Sequence, residues 1–236
     1  MKKIVSLAVL AALTTTVADA APSYIKRDAN GGYGVTYDYT DKAKNGWYVG
    51  GHVALNLMNW ENEYSTEWAG VDAQYNSDKY SEVVFGGDIF FGKTFKYFWR
   101  GEVEAGLLGQ FEDKDNIASF ELTIPYLMAN GYYDFTNGLY VGAGLGIAVP
   151  TTALDGSVYV DGDRKSSIVS PMAGIMVGYS HELDYNLTLD IRYRLAGLMG
   201  PDHERIMTDG IDSYTFKNEI GLILDNSISV GIRYNF

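Results

Sequence analysis

Cysteine is absent from the sequence, which excludes disulfides, thiolate metal sites and a lipid-modified N-terminal cysteine. Basic residues are outnumbered, 18 Lys and Arg against 30 Asp and Glu, for a formal charge of −12. A chain so acidic makes a poor partner for a phosphate backbone, so no nucleic acid is expected to bind it. No stretch beyond the N-terminus reaches the ~18 uninterrupted apolar residues that a spanning helix needs. Proline is scarce at 5 residues, while Gly (27) and Tyr (19) are plentiful. That balance suits twisted, closely packed strands better than helices.

The N-terminus carries its own signal. Lys2 and Lys3 precede the apolar run "IVSLAVLAAL" (Ile4 to Leu13) and an A-x-A site at Ala18, Asp19 and Ala20. This order reads as a secretory signal peptide over residues 1–20, cleaved before Ala21. Its removal takes away two Lys and one Asp and moves the formal charge from −12 to −13.

From Trp47 onward, eight runs alternate apolar and polar residues with period two, the pattern of strands with two unlike faces. The first, "GWYVGGHVALNLMNW", sets Trp47, Val49, Val53, Leu55 and Leu57 against Tyr48, His52, Ala54 and Asn56. The second opposes Val83, Phe85, Ile89 and Phe91 to Glu82, Gly86 and Asp88. In the third, Trp99, Val103, Ala105, Leu107 and Phe111 face away from Arg100, Glu102, Glu104 and Gln110. The fourth, "SFELTIPYLMANGYY", sets Phe120, Leu122, Ile124, Tyr126 and Met128 against Glu121 and Thr123. "LYVGAGLGIAV" and "IVSPMAGIMVGYS" follow, then "LTLDIRYRLAG" with Asp190, Arg192 and Arg194 on its polar face. The last, "SISVGIRYNF", ends the chain on Phe236.

Connections alternate in length. Short turns fall near Thr94 to Lys96, at Asp134 to Gly138 and at His181 to Asn186, whereas Glu61 to Lys79, Thr151 to Ser166 and Met199 to Ser213 are expected as long loops. A soluble barrel would bury the apolar face, and a membrane barrel would turn it to lipid. Charges of both signs decide for the membrane: Glu82, Asp88, Arg100, Glu102, Glu104, Glu121, Asp190, Arg192, Arg194 and Arg233 sit mid-strand, where a narrow lumen pairs them. Aromatic residues beside the short turns read as an interfacial girdle: Trp47, Tyr97, Trp99, Tyr133, Tyr179 and Tyr234, with Tyr48, Tyr132 and Tyr140 among them. The expected fold is all-β, a closed antiparallel up-and-down transmembrane β-barrel of eight strands over residues 46–236. Residues 21–45 form a periplasmic lead-in. Counting Gly31 to Lys44 and Tyr214 to Leu224 as strands gives a ten-stranded alternative.

The leader, the eight amphipathic runs, the long alternate connections and the terminal "RYNF" resemble the small outer-membrane β-barrels of the opacity-protein and OmpA-transmembrane type. The resemblance covers Gly46 to Phe236 and is one of pattern. It implies a Gram-negative outer-membrane location, contact with outer-membrane lipids including lipopolysaccharide, and a last strand, ending in Phe236, that the barrel assembly machinery recognises.

Eight strands enclose a lumen that side chains fill, so a wide pore is not expected, although Gly142, Gly144 and Gly146 open space that could host water. Function is then expected in the loops, through a host or surface ligand. The first loop carries Glu61, Glu63, Glu67, Asp72 and Asp78 with Trp60, Tyr64, Trp68 and Tyr75 interleaved. A solvated, variable loop is the plainer reading of the same residues. The alternative function is a narrow porin-like channel, and an outer-leaflet lipid-modifying enzyme ranks third. Ser180, His181 and Glu182 are adjacent and cannot form a relay, so no catalytic residue is assigned. No metal site and no cofactor is expected.

Overall fold

The computed structural model describes residues 25–27, 33–35, 46–68, 71–95, 98–114, 118–156, 159–162, 164–183, 186–208 and 212–236. The expected signal peptide and Tyr97 lie outside them. Among the described residues, fifteen strands are formed. β1 (Ile25–Arg27) and β2 (Tyr33–Val35) make a two-stranded sheet of their own. The wall is built from β3 (Trp47–Trp68), β4 (Val71–Thr94), β5 (Trp99–Lys114), β6 (Ala118–Asp134) and β7 (Leu139–Ala148). It continues through β8 (Thr151–Gly156), β9 (Tyr159–Gly162), β10 (Lys165–Ser167) and β11 (Ser170–Glu182). The remainder is β12 (Leu187–Met199), β13 (Asp202–Thr208), β14 (Ser213–Ile220) and β15 (Leu222–Asn235).

The order β3-β4-β5-β6-β7-β11-β12-β15 returns to β3, and every pairing in it is antiparallel. It is a closed barrel of eight strands. Closure runs from Leu224↔Asn59 to Asn235↔Tyr48, and the Phe236 amide donates to the Trp47 carbonyl at 3.1 Å. The terminal strand thus has both edges paired, which removes the hazard of an open amphipathic edge. The ten-strand alternative fails because β2 lies outside this ring. β14 continues the line of β15 past Gly221, pairing β3 from Ile220↔Asn62 to Thr215↔Glu67.

The alternation is resolved inside out. Val53, Phe85, Ile89 and Leu145 project outward, the last 72% exposed, while Asn56 and Glu104 are sealed inside at 0%. The connections expected as loops are mostly ladder. β3 and β4 run together as far as Trp68↔Val71, β8 pairs β6 and β10, and β13 pairs β14 and β9. Polar sequence carries these extensions because backbone hydrogen bonding, unlike side-chain burial, asks nothing of composition.

Two phases differ from expectation. In β5 a bulge between Leu107 and Gln110 inserts one residue opposite β6, with Gly109 at φ 153°. Leu108 keeps the inward phase of Glu104, and past the bulge Phe111 turns toward the interior and Gln110 outward. In β6 the row Leu122, Ile124, Tyr126 and Met128 is buried rather than lipid-facing. Register dictates this: inward Glu104 lies opposite Met128, so Met128 and every second residue from it must point inward. Glu121 consequently leaves the lumen and stands on the outer side of the hairpin end, bonded by Gln110 Nε2 at 2.6 Å.

Candidate functional site: a layered barrel interior and its hairpin end

The interior has two layers. Nearer the short turns is a polar layer centred on Glu104, a β5 residue that alternation points inward. Its Oε2 accepts from Arg192 Nη1 at 2.7 Å and from Asn130 Nδ2 at 3.0 Å. Its Oε1 accepts from Arg194 Nη1 at 2.7 Å and from the Tyr126 hydroxyl at 2.5 Å. The other edge of Arg192 donates from Nη2 to Asp88 Oδ2 at 2.9 Å. Asp88 Oδ1 bonds His52 Nδ1 at 2.7 Å, and His52 Nε2 lies 3.4 Å from Asp190. Asp190 in turn accepts from the Tyr140 hydroxyl at 2.5 Å and from Ser180 Oγ at 2.8 Å. Two tyrosines, Tyr48 and Tyr132, donate to Glu102 at 3.2 and 3.1 Å. Below them Arg100 pairs with Asp134 at 2.8 Å and packs against the Tyr132 and Tyr140 rings. Each carboxylate in the chain from Asp88 to Asp190 has donors on it, the condition for holding charge in a dry interior.

Nearer the hairpin end the interior is apolar. Met58, Trp60, Val84, Leu108, Leu122 and Ile124 are buried together, with Met128, Met172, Leu198 and Ile223 among the other members of the cluster. Asp225, close to this layer, has Arg194 Nη2 at 3.6 Å. The polar layer is thus capped by an apolar one, which is edged by the buried polar side chains of Asn56, Asn62, Asn218 and Asp225.

Of the sequence-predicted lumen residues, Asp88, Glu102, Glu104, Asp190, Arg192 and Arg194 come together in one cluster, with Arg100 beside it. Glu82 shares their face but lies half-buried beyond them, opposite Met58. Arg233 faces the short-turn end, where its guanidinium stacks on Tyr48 at 5.2 Å. Sequence reading passed over the Tyr126, Tyr132 and Asn130 contributions. Tyr48, Tyr132 and Tyr140 belong to the interior, not the girdle, since each is buried and bonded to a carboxylate. The available signal was parity: Tyr132 shares its face with Asp134 two residues on, Tyr140 lies across the ladder from Asp134, and Tyr48 shares its face with His52 four residues on.

Glycines facing inward do not open water space. Tyr132 covers Gly142, Asn130 covers Gly144 and Met128 covers Gly146. Gly178 likewise lies under the Tyr140 ring, which its bond to Asp190 holds in place. A methyl at Gly178 would also meet the Ile191 carbonyl at 2.5 Å. Gly178→Ala is therefore expected to destabilise the folded barrel by about 1–3 kcal/mol through overpacking. Urea unfolding in lipid vesicles measures it, and an unchanged midpoint would refute the tight fit.

Outside, aromatic rings do collect beside the short turns. Trp47 stacks on Phe91 at 5.0 Å with Lys93 Nζ over its ring at 4.9 Å, and Trp99 meets Tyr133 edge-on at 5.3 Å. Tyr234 and Phe236 are both exposed, and Tyr179 stacks on His181 at 6.4 Å. Ser180 and His181 point to opposite faces, with Ser180 committed to Asp190. At the other end, Trp60 and Tyr64, two of the aromatics expected as exposed in the first loop, are packed, while the side chains of Trp68 and Tyr75 lie outside the described ones. Trp60 is buried and stacked on Tyr80 at 5.5 Å, Tyr64 shares a hydrogen bond with Tyr80 at 2.8 Å, and Phe216 stacks on Tyr64 at 5.9 Å. Glu67 is tied to Lys217 at 2.9 Å. The hairpin end is thus a packed sheet on which Glu63, Asp78, Glu112, Asp155 and Glu219 are exposed.

A closed ring, an apolar belt outside and a charged layer inside together define a transmembrane β-barrel of the outer-membrane type. No family model matches the sequence, nor does any curated protein. Among solved structures, the chain is similar to Neisserial surface protein A, at 20% identity and a TM-score of 0.48 over 80% of this chain and 97% of that one. It is also similar to the outer membrane protein OprG of Pseudomonas aeruginosa, at 13% identity and a TM-score of 0.46, covering 79% and 96% of the two chains. The attachment invasion locus protein Ail of Yersinia pestis aligns at 11% identity with a TM-score of 0.42, over 78% and 98%.

Proposed function

We propose that the protein is a barrel anchor of the Gram-negative outer membrane that displays its packed, acidic hairpins as an interaction surface, the signal peptide having been removed on export. The apolar interior carries this reading: a buried cluster that includes Met58, Trp60, Leu108, Leu122 and Ile223 occupies the half nearest the hairpins, so the barrel offers its surface rather than its bore. Lipopolysaccharide and the outer-membrane lipids are its surroundings, the barrel assembly machinery its folding partner through Phe236, and a host or surface ligand its target. The short-turn girdle then faces the periplasm.

Conductance tests the reading. Refolded mature protein in planar bilayers is expected to show no discrete channel steps, and steps that shift when Arg192 or Glu102 is changed would instead establish the narrow channel. In a second test, residues 63–77 are replaced by an Asn-Gly turn. Heat-modifiable migration on a gel should survive, because the barrel ring below Trp60 is untouched, while attachment of protein-bearing cells to surfaces should be lost.

A further inference from the structure

One seam of the wall lacks its ladder. β4 and β5 pair from Thr94↔Arg100 to Gly87↔Leu107, and there the register ends. Above it β4 continues with β3 to Trp68↔Val71, and β5 continues with β6 to Lys114↔Ser119. Every other junction of the ring is carried further or closed by a hairpin strand. The break falls within the apolar belt and not above it, since Phe85 and Val83 on β4 are 82% and 64% exposed beside it. Unpaired backbone at lipid depth is costly, so such a break needs a compensating device.

That device is present. The Asn56 side-chain amide crosses over Gly86 and donates to the Leu108 carbonyl, one residue beyond the last β4–β5 pair. Gly86 is required, because a methyl there would strike both the Asn56 amide and the Leu108 carbonyl. On the facing strand, the bulge residue Gly109 receives the Val84 side chain against its backbone. A side-chain clasp has replaced the hydrogen-bond ladder, and side-chain clasps open more readily than ladders.

Directly behind the clasp lies the apolar compartment. Val84 and Leu108 are members of it, and Trp60, with Phe111 edge-on at 5.5 Å, forms the adjoining wall. Met58, Met128 and Met172 supply much of its remaining volume, and unbranched thioether side chains repack around a guest at little cost. At this seam the exposed belt outside and the greasy interior are separated by close packing of Val84 on Gly109 and by the Asn56 amide over Gly86, with no ladder pairing.

We propose that the β4–β5 seam admits the acyl chain of a membrane lipid into this compartment, with Asn56 and Val84 as the latch. The inference rests on the membrane placement proposed above, and the experiment separates the two. The folded protein is reconstituted in phosphatidylcholine vesicles containing a phospholipid with a photoreactive diazirine at its acyl terminus, irradiated, digested and mapped by mass spectrometry. Label is expected on the outward residues Phe85 and Leu107 and also on the inward residues Trp60 and Phe111. Val84→Ala and Asn56→Ala should each raise the inward share severalfold, with heat-modifiable migration confirming that both variants fold. Label confined to the outward residues overturns the seam while leaving the membrane placement intact. Absence of label from the whole belt overturns the placement and the seam with it. Inward label that neither variant changes overturns the seam as the route, since chains would then enter through an end of the barrel.

Discussion

Glu104→Ala is expected to lower the unfolding free energy by about 3–5 kcal/mol, the usual cost of removing one partner from a buried ion pair. The carboxylate is wholly enclosed and is shared by Arg192, Arg194, Tyr126 and Asn130. Arg192 retains Asp88 at 2.9 Å when Glu104 is lost, but Arg194 is left with Asp225 at 3.6 Å as its nearest carboxylate. Adding Arg194→Met should therefore recover part of the loss, because the charge left most exposed by the first change is gone. The two effects are coupled and will not add. Urea titration of protein folded in lipid vesicles, followed by tryptophan fluorescence, reads both. A Glu104→Ala protein as stable as the parent would show that water, not Glu104, holds these guanidinium groups.

Leu145→Arg tests the outer face. Leu145 stands on β7 between inward Gly144 and Gly146, and its side chain is 72% exposed on the apolar belt. An arginine near the middle of a lipid-facing strand costs about 2–4 kcal/mol, falling toward zero near the interfaces. Arginine at exposed Ser77, on the hairpin extension, should cost almost nothing. The same unfolding titration compares the two. Equal stabilities would mean that the belt faces water, and the barrel would then be a soluble one.

How legible the interior was depended on the contrast between faces. Along β12, Asp190, Arg192 and Arg194 alternate with Leu189, Ile191 and Tyr193, so a one-residue slip would place three charges in lipid and only one phase is tenable. Along β6 both faces are apolar, with Leu122, Ile124 and Met128 on one and Pro125, Leu127 and Ala129 on the other. Periodicity there identifies a strand but not its inner side. The wrong row looked better for lipid, which moved Glu121 into the lumen and hid the apolar compartment. The bulge at Gly109 had the same effect on Phe111, since a single inserted residue reverses phase without changing composition.

By itself the sequence determined that the chain is built of alternating strands from Trp47 onward, that charge marks one face of strands such as β12, and that the last strand runs to Phe236. These follow from period-two alternation, which any reader can count and which a barrel cannot violate. Only the tertiary structure decided which carboxylate meets which guanidinium and that the supposed loops extend as sheet. It alone divided the interior into a charged and a greasy half, and ended the β4–β5 ladder at Gly87↔Leu107, with Asn56 bonded to the Leu108 carbonyl just beyond it. Those outcomes depend on register between strands far apart in the chain. Register is set when the ring closes, by all eight strands at once, and no single strand carries it.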